Sequence, residues 1–252
     1  MGRIIALAVA VALLIAVALV WLAPATLVAS RVDRATAGTV VLADATGTVW
    51  GGRGSLVAGG IAVPLAWTLD PWPLARGELR VRLAPIGKEP PRGPHGEITV
   101  GGRETALRDV ELTVPAAWLV ALAGHRLPWQ LAGNVTLAVP ALDWSPPGSR
   151  GEAHAVWRGA QVGGATGGAP IDLGTITVTV AASGDRLQGP IANEGGDVAI
   201  RGEIAARAGA DIAVTAVVNP RRADDAALAR ALAAIGTPED GGWRVGWRAA
   251  WR

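Results

Sequence analysis

The sequence predicts a mainly β protein: an N-terminal transmembrane helix followed by a long, curved antiparallel β-meander domain with one or two short helices. Three observations predict it. Residues 4–23 form an apolar run with no charge, glycine or proline before Pro24. Beyond residue 38, short β-rich segments recur at a regular spacing between Gly, Asp and Pro turns. Within Leu79, Arg80, Val81, Arg82 and Leu83 the alternation is strict, so one face of the sheet is buried and the other is wet.

The apolar run comes first in the chain. At about 1.5 Å per residue, its twenty residues reach roughly 30 Å as a helix, the thickness of a bilayer's hydrocarbon core. Ile4, Leu13, Leu14, Ile15 and Leu19 lie along this span, and Trp21 at its far end fits an interfacial aromatic. A cleaved signal peptide is the competing reading, because Arg3 and the terminal amine make a basic start and Val28, Ala29 and Ser30 offer a small-residue exit. Signal cores run to about 7–15 residues, so the length favours a retained anchor. Arg31 and Arg34 balance the basic start, and charge leaves the orientation open. The expected order is a tail at 1–3, the anchor at 4–23, a helical collar at 24–37 ending at Gly38, and a β-domain at 38–252. The loop of Pro146, Pro147 and Gly148 leaves open a division of that domain near 145–150.

Composition bounds the function. Half of the 252 residues are hydrophobic, which excludes a disordered chain, and the absence of Cys removes disulfides and thiolate metal sites. The pI near 10.2 accompanies a net charge of only +2. There is one lysine, Lys88, and no basic run longer than Arg221 and Arg222, so no nucleic-acid partner is expected. Eleven Trp residues must carry the large-residue packing that Phe and Tyr would otherwise supply. Trp50, Trp67 and Trp72 are expected in that service.

After the collar, residues 39–43, 48–50 and 56–58 read as short β pieces. Residues 61–69, 77–84, 97–100 and 107–114 continue them as a meander. Residues 88–96, with Pro90, Pro91 and Pro94, read as a solvated loop. Residues 115–123 form a short helix, with Pro115 in its first turn and Gly124 closing it. A second meander follows over 134–139, 152–157, 174–181, 186–191, 197–205 and 210–218. The late helix has Asp224 as its cap, Leu228, Leu232 and Ile235 on one face, and Gly236 as its terminator. Over residues 242–251 a final strand sets Trp243, Trp247 and Trp251 on one side, as core or as an exposed stripe.

No arrangement of residues announces chemistry. None of the five Ser residues sits in a nucleophile elbow, and His95, His125 and His154 stand isolated in unrelated contexts. Spacing brings no two of Asp70, Glu78 and Asp109 together. Metal-binding signatures of zinc or calcium type are missing. Gly51, Gly52, Arg53 and Gly54 lack the Lys of a phosphate loop and read as a tight strand connection needing positive φ. Gly163, Gly164, Gly167 and Gly168 read as a flexible loop. A non-enzyme without catalytic residues, cofactor or metal is expected.

Leu22-Ala23-Pro24-Ala25, then Gly47-Thr48-Val49-Trp50-Gly51-Gly52, then Leu65-Ala66-Trp67-Thr68-Leu69-Asp70-Pro71 with Gly77-Glu78-Leu79, resemble the N-terminal pattern of the type II secretion system protein N family. Asn193-Glu194-Gly195-Gly196-Asp197 leading to Gly202, and Asn219-Pro220 before Leu232, Ile235-Gly236 and Asp240-Gly241, are similar to its C-terminal half. The resemblance implies a bitopic inner-membrane protein with a short cytoplasmic tail and a periplasmic β-domain, an accessory part of the machine that exports folded proteins across the outer membrane. It implies no catalytic residues. Gly47, Trp50, Gly51, Trp67, Pro71, Gly77, Gly196, Gly202 and Gly236 become expected determinants of the fold. The implied partners are other inner-membrane subunits of the secretion system, the outer-membrane secretin and the lipid bilayer, contacted by a scaffold. The rival expectation is a membrane-anchored lipid-binding or lipid-transfer β-groove of AsmA-like type. A continuous apolar concave face would favour the rival, and a sheet filled by its own Trp and Leu side chains would disfavour it.

Overall fold

Period-two patterning in this chain is realised as one antiparallel sheet. The computed structural model describes residues 21–86, 93–122, 130–163, 170–222, 224–239 and 242–250. Strands β1 (Val41–Gly47), β2 (Gly51–Ala58), β3 (Ile61–Asp70), β4 (Glu78–Ala84), β5 (His95–Gly101), β6 (Glu104–Pro115) and β7 (Gln130–Trp144) are followed by β8 (Ser149–Gly163), β9 (Ile171–Gly184), β10 (Arg186–Glu194), β11 (Val198–Arg207) and β12 (Asp211–Pro220). The short β13 (Thr237–Glu239) and β14 (Gly242–Ala250) complete it. Each strand from β1 to β12 pairs with the next, and β14 inserts between β12 and β13. The turn at residues 145–148 is a hairpin within this sheet, and the two expected meanders are continuous across it.

Register puts the apolar residues on one face from end to end. Leu42 pairs with Leu56, Trp67 with Leu83, Val81 with Ile98, and Leu112 with Leu137. The same face continues through Ala155 opposite Val178, Val178 opposite Ile191, and Val214 opposite Trp247. On the other face Arg82 pairs with Glu97, Thr113 with Thr136, and His154 with Thr179. The sheet is strongly curved toward its apolar side. Leu142, Ala153, Val180, Leu187, Ile204 and Ile212, from the six strands β7 to β12, line one cavity of about 210 Å³. In a flat sheet those strands would span roughly 24 Å.

Among the described residues, three α-helices lie on the concave side. α1 (Thr26–Ala35) sets Val28 and Ala29 against the cluster of Leu42, Leu65 and Trp67, and Val32 against that of Val40 and Val63. It ends at Ala35, and the turn that follows closes at Gly38, which sits at φ +77° and donates back to Asp33 O at 2.9 Å. α2 (Ala116–Leu122) drives Trp118 between Ala58 of β2 and Val114 of β6, so one helix plugs two strands that curvature brings together. α3 (Ala226–Ile235) packs Leu228 and Leu232 onto Val198, Ile200 and Val218.

The structure corrects several expectations. Gly51 to Gly54 are not a loop but the start of β2, and their φ angles are not positive. A Cβ on Gly52 would stand 2.5 Å from Trp67 Cζ2, so close packing requires the glycine. Residues 48–50 are a lone bridge and a bend rather than a strand. Pro115 ends β6 instead of opening α2. Asp225, one residue later than expected, caps α3 by accepting from Leu228 N at 2.9 Å, while Asp224 pairs with Arg222. Gly236 leaves α3 in an extended conformation at φ −130°, and its role is room: a Cβ would meet Arg244 O at 2.9 Å. Ile235 is exposed rather than packed with Leu228 and Leu232. Trp72 is 82% exposed, outside the core service expected of it. Residues 4–20, most of the 88–96 loop, Gly124, His125, the glycines from Gly164 to Gly168, and Trp251 lie outside the described residues. Among the described residues no helix is long and apolar enough to cross a membrane.

Candidate apolar trough and open sheet edge

Concavity turns a one-sided sheet into a trough, and its lining decides what it can hold. At the N-terminal end, α1 roofs a cavity of about 430 Å³ over β1 to β4. Its floor is Leu42, Leu65 and Trp67, each 5% exposed. Its mouth is set by Leu27, Leu79 and Arg31, all exposed. Arg31 is the one charged group in a lining that is otherwise aliphatic or aromatic. Among the described residues no carboxylate pairs with it. The second cavity, over β7 to β12, is lined by Leu, Ile, Val and Ala alone. Such surfaces exclude any ligand whose polar groups would lose water without a partner, and admit hydrocarbon.

The fixed parts of the N-terminal end explain the family-like residues there. Gly47 adopts φ +97°, and a Cβ would stand 2.5 Å from Gly51 O. Trp67 Nε1 donates to Val49 O at 3.2 Å, tying β3 to the bend after β1. Trp50 sits beside Trp21, ring centroids 6.0 Å apart. Pro71 stands in the bend before the short 3₁₀ turn Pro73–Arg76, which Gly77 ends at φ +75°. In the C-terminal half, Gly196, at φ +72°, and Gly202 leave no room for a side chain: a Cβ would stand 2.6 Å from Asp172 O at the first and 2.7 Å from Ala216 Cα at the second.

The wet face carries paired charges and no converging cluster. Arg82 Nε donates to Glu97 Oε2 at 2.9 Å, and Arg80 lies between Glu97 and Asp70. The Arg108 hydrogen bond, helped by Arg150, holds the Asp143 carboxyl below the usual carboxylate range, as Arg207 does for Asp185. His95 and His154, expected to be isolated, each face a carboxylate, Glu111 at 3.9 Å and Glu152 at 3.6 Å. Asp70, Glu78 and Asp109 lie on β3, β4 and β6, and Asp109 occupies φ +49° at the β5–β6 irregularity. Among the described residues no group of three or more His, Cys, Asp or Glu converges.

The two sheet edges differ. β1 is closed to a further strand: Ala25 N donates to Gly47 O at 3.1 Å, Pro24 bridges Thr48, and the strand is broken between Ala43 and Thr46 with Asp44 at φ +52°. β14 is covered only at its start, where β13 pairs with residues 242–244 and Glu239 holds Arg244, raising the guanidinium above its ordinary pKa. Thr237 Oγ1 donates to Arg244 O, so Arg244 turns its backbone outward. By the two-residue period Gly246 and Arg248 do the same, with no strand against them among the described residues. Trp247, on the apolar face beside this edge, is 55% exposed.

Sequence reasoning counted Arg31 only as a charge for orientation, and Val28 and Ala29 only as a cleavage exit. The place of Arg31 and Val28 at the cavity depends on strands about ten to fifty residues away, which no local pattern reports. A family model described as type II secretion system (T2SS), protein N, matches residues 38–245. No curated protein matches the chain, and no solved structure does.

Proposed function

The chain belongs to the type II secretion system protein N family, and from that membership we propose that it is a non-enzymatic accessory component, anchored in the inner membrane by residues 4–23, whose periplasmic β-domain docks other secretion subunits. The observation that carries the docking mode is the asymmetry of the sheet. β1 is closed by the segment that leaves the anchor, while Gly246 and Arg248 of β14 offer unpaired backbone to an added strand. The anchor raises the effective concentration of partners held in the same membrane. Arg248→Pro removes an outward N–H and leaves the ladder to β12, which uses the alternate residues. Recovery of secretion subunits with the full chain from native membranes is expected to fall about fivefold, the order of one or two lost hydrogen bonds. Wild-type recovery by the variant overturns the edge mode, and recovery of no secretion component by the wild type overturns the scaffold.

A second reading, a lipid-binding or lipid-transfer groove of AsmA-like type, is favoured by one observation: the apolar face is continuous from β1 to β14, and helices and Trp rings fill it only in part. Full-length protein extracted in mild detergent is expected to carry co-purifying lipid in native mass spectra. Ala153→Trp, which fills the cavity over β7 to β12, should lower the lipid-bound fraction about threefold. Lipid-free spectra of the wild type would remove this reading.

A further inference from the structure

We propose that the cavity roofed by α1 takes one acyl chain of an anionic phospholipid, with Arg31 meeting the phosphate at its mouth. This assignment rests on the lipid reading above and names its site and its ligand. Three features carry it. The volume of about 430 Å³ lies within the roughly 300–1,000 Å³ typical of ligand sites. The walls, Val28 and Val32 from α1 against Leu42, Leu65 and Trp67, contain no group that could pair with a buried amide, so an inserted peptide would strand its backbone polar atoms. A hydrocarbon chain has none to strand.

The charge is where such a ligand needs it. Arg31 lines the mouth, is exposed, and has no carboxylate partner among the described residues, whereas Arg34 on the same helix is turned back onto Ser30 O at 3.0 Å. An exposed guanidinium beside an apolar opening suits an amphiphile whose anionic head stays in water while its tail is buried. Position supplies the source. Ala23, the end of the expected span, is three residues from Thr26 and eight from Arg31, which places the mouth within roughly 20 Å of the bilayer. Phospholipid is the concentrated amphiphile there, and anionic lipids favour basic residues held near the surface.

The test uses the full chain in phosphatidylcholine nanodiscs doped with phosphatidylglycerol carrying a photoreactive group midway along one acyl chain, with crosslinks mapped by peptide mass spectrometry. Crosslinks on Leu42, Leu65 or Trp67 are expected. Val28→Trp, which fills the cavity from its roof, should cut them about tenfold. Arg31→Glu should keep the crosslinks but lower the preference for phosphatidylglycerol over an identically labelled phosphatidylcholine about fivefold, the scale of one exposed ion pair. Crosslinks confined to residues 4–23, or unchanged labelling in Val28→Trp, overturn the proposal. Labelling of Ala153 or Ile204 without Leu42 or Trp67 overturns this site while leaving a lipid-binding trough standing. The wild-type map decides the matter even if Val28→Trp does not fold.

Discussion

Replacing Trp67 with Ala is expected to cost about 4 kcal/mol of folding stability and to lower the thermal midpoint by roughly 10 °C. The ring is 5% exposed and is enclosed by Ala25 before α1, Leu42 of β1 and Leu65 of β3. Its six-membered ring lies beside Gly52, where the missing side chain makes the room it occupies. Its Nε1 donates to Val49 O at 3.2 Å, so truncation also removes the partner of a carbonyl that fixes the bend between β1 and β2. The neighbouring elements cannot collapse into the gap, because the cavity under α1 already borders it and deletion would enlarge an underpacked region. Trp72→Ala supplies the comparison. That ring is 82% exposed, and its loss should shift stability by no more than about 0.5 kcal/mol. Thermal and denaturant unfolding of the two variants measures the difference, and equal shifts would mean that Trp67 does not organise the N-terminal end.

The same residues show what a sequence can and cannot disclose about this fold. Alternation through Leu79 to Leu83 states its own geometry, because period two is local to one strand, and the structure places those apolar residues on one face. The left-handed turn at Gly38 that follows α1 is equally local. The glycines from Gly51 to Gly54 mislead for the opposite reason. Low strand propensity argues for a loop, yet the requirement they satisfy comes from a ring fifteen residues away and from Ala43 O, which a Cβ on Gly54 would approach to 2.9 Å. β7 and β8 are much longer than the segments expected at 134–139 and 152–157, because register shifts near Gly133 and Pro140 reverse the alternation partway along and hide the strand from a period-two reading. The trough is the least legible feature. Each apolar residue that lines it looks like ordinary core, and only the curvature of the sheet reveals that the cores do not meet across it.

At the other end of the sheet, Asn193→Leu is expected to destabilise the protein by about 3 kcal/mol although it keeps the number and branching of the side-chain heavy atoms. Asn193 is a polar residue on the apolar face, opposite Ile176. Its amide donates to Leu173 O at 2.7 Å and to Val198 O at 2.9 Å, and its oxygen accepts from Ile200 N at 2.6 Å. One side chain therefore ties β9, β10 and β11 together beneath α3, next to Val198, which is wholly buried. Leucine would leave Leu173 O and Ile200 N without their partner, at about 1–3 kcal/mol for each buried group left unpaired. Val198 O would keep a donor, because Arg221 Nε reaches it at 3.0 Å. Asp197 extends the tie by accepting from Asp172 N at 3.0 Å, which gives the Asn193 to Asp197 segment a structural reason for its residue types. Gln188→Leu, on the wet face of the same strand and exposed, is the matched control and should change stability by less than about 0.5 kcal/mol. Amide exchange adds a local readout: Ile200 N–H should lose protection in Asn193→Leu before the rest of β11 does. Wild-type stability and undiminished protection at Ile200 would show that the strands at this end are held by apolar packing alone, with the amide network incidental.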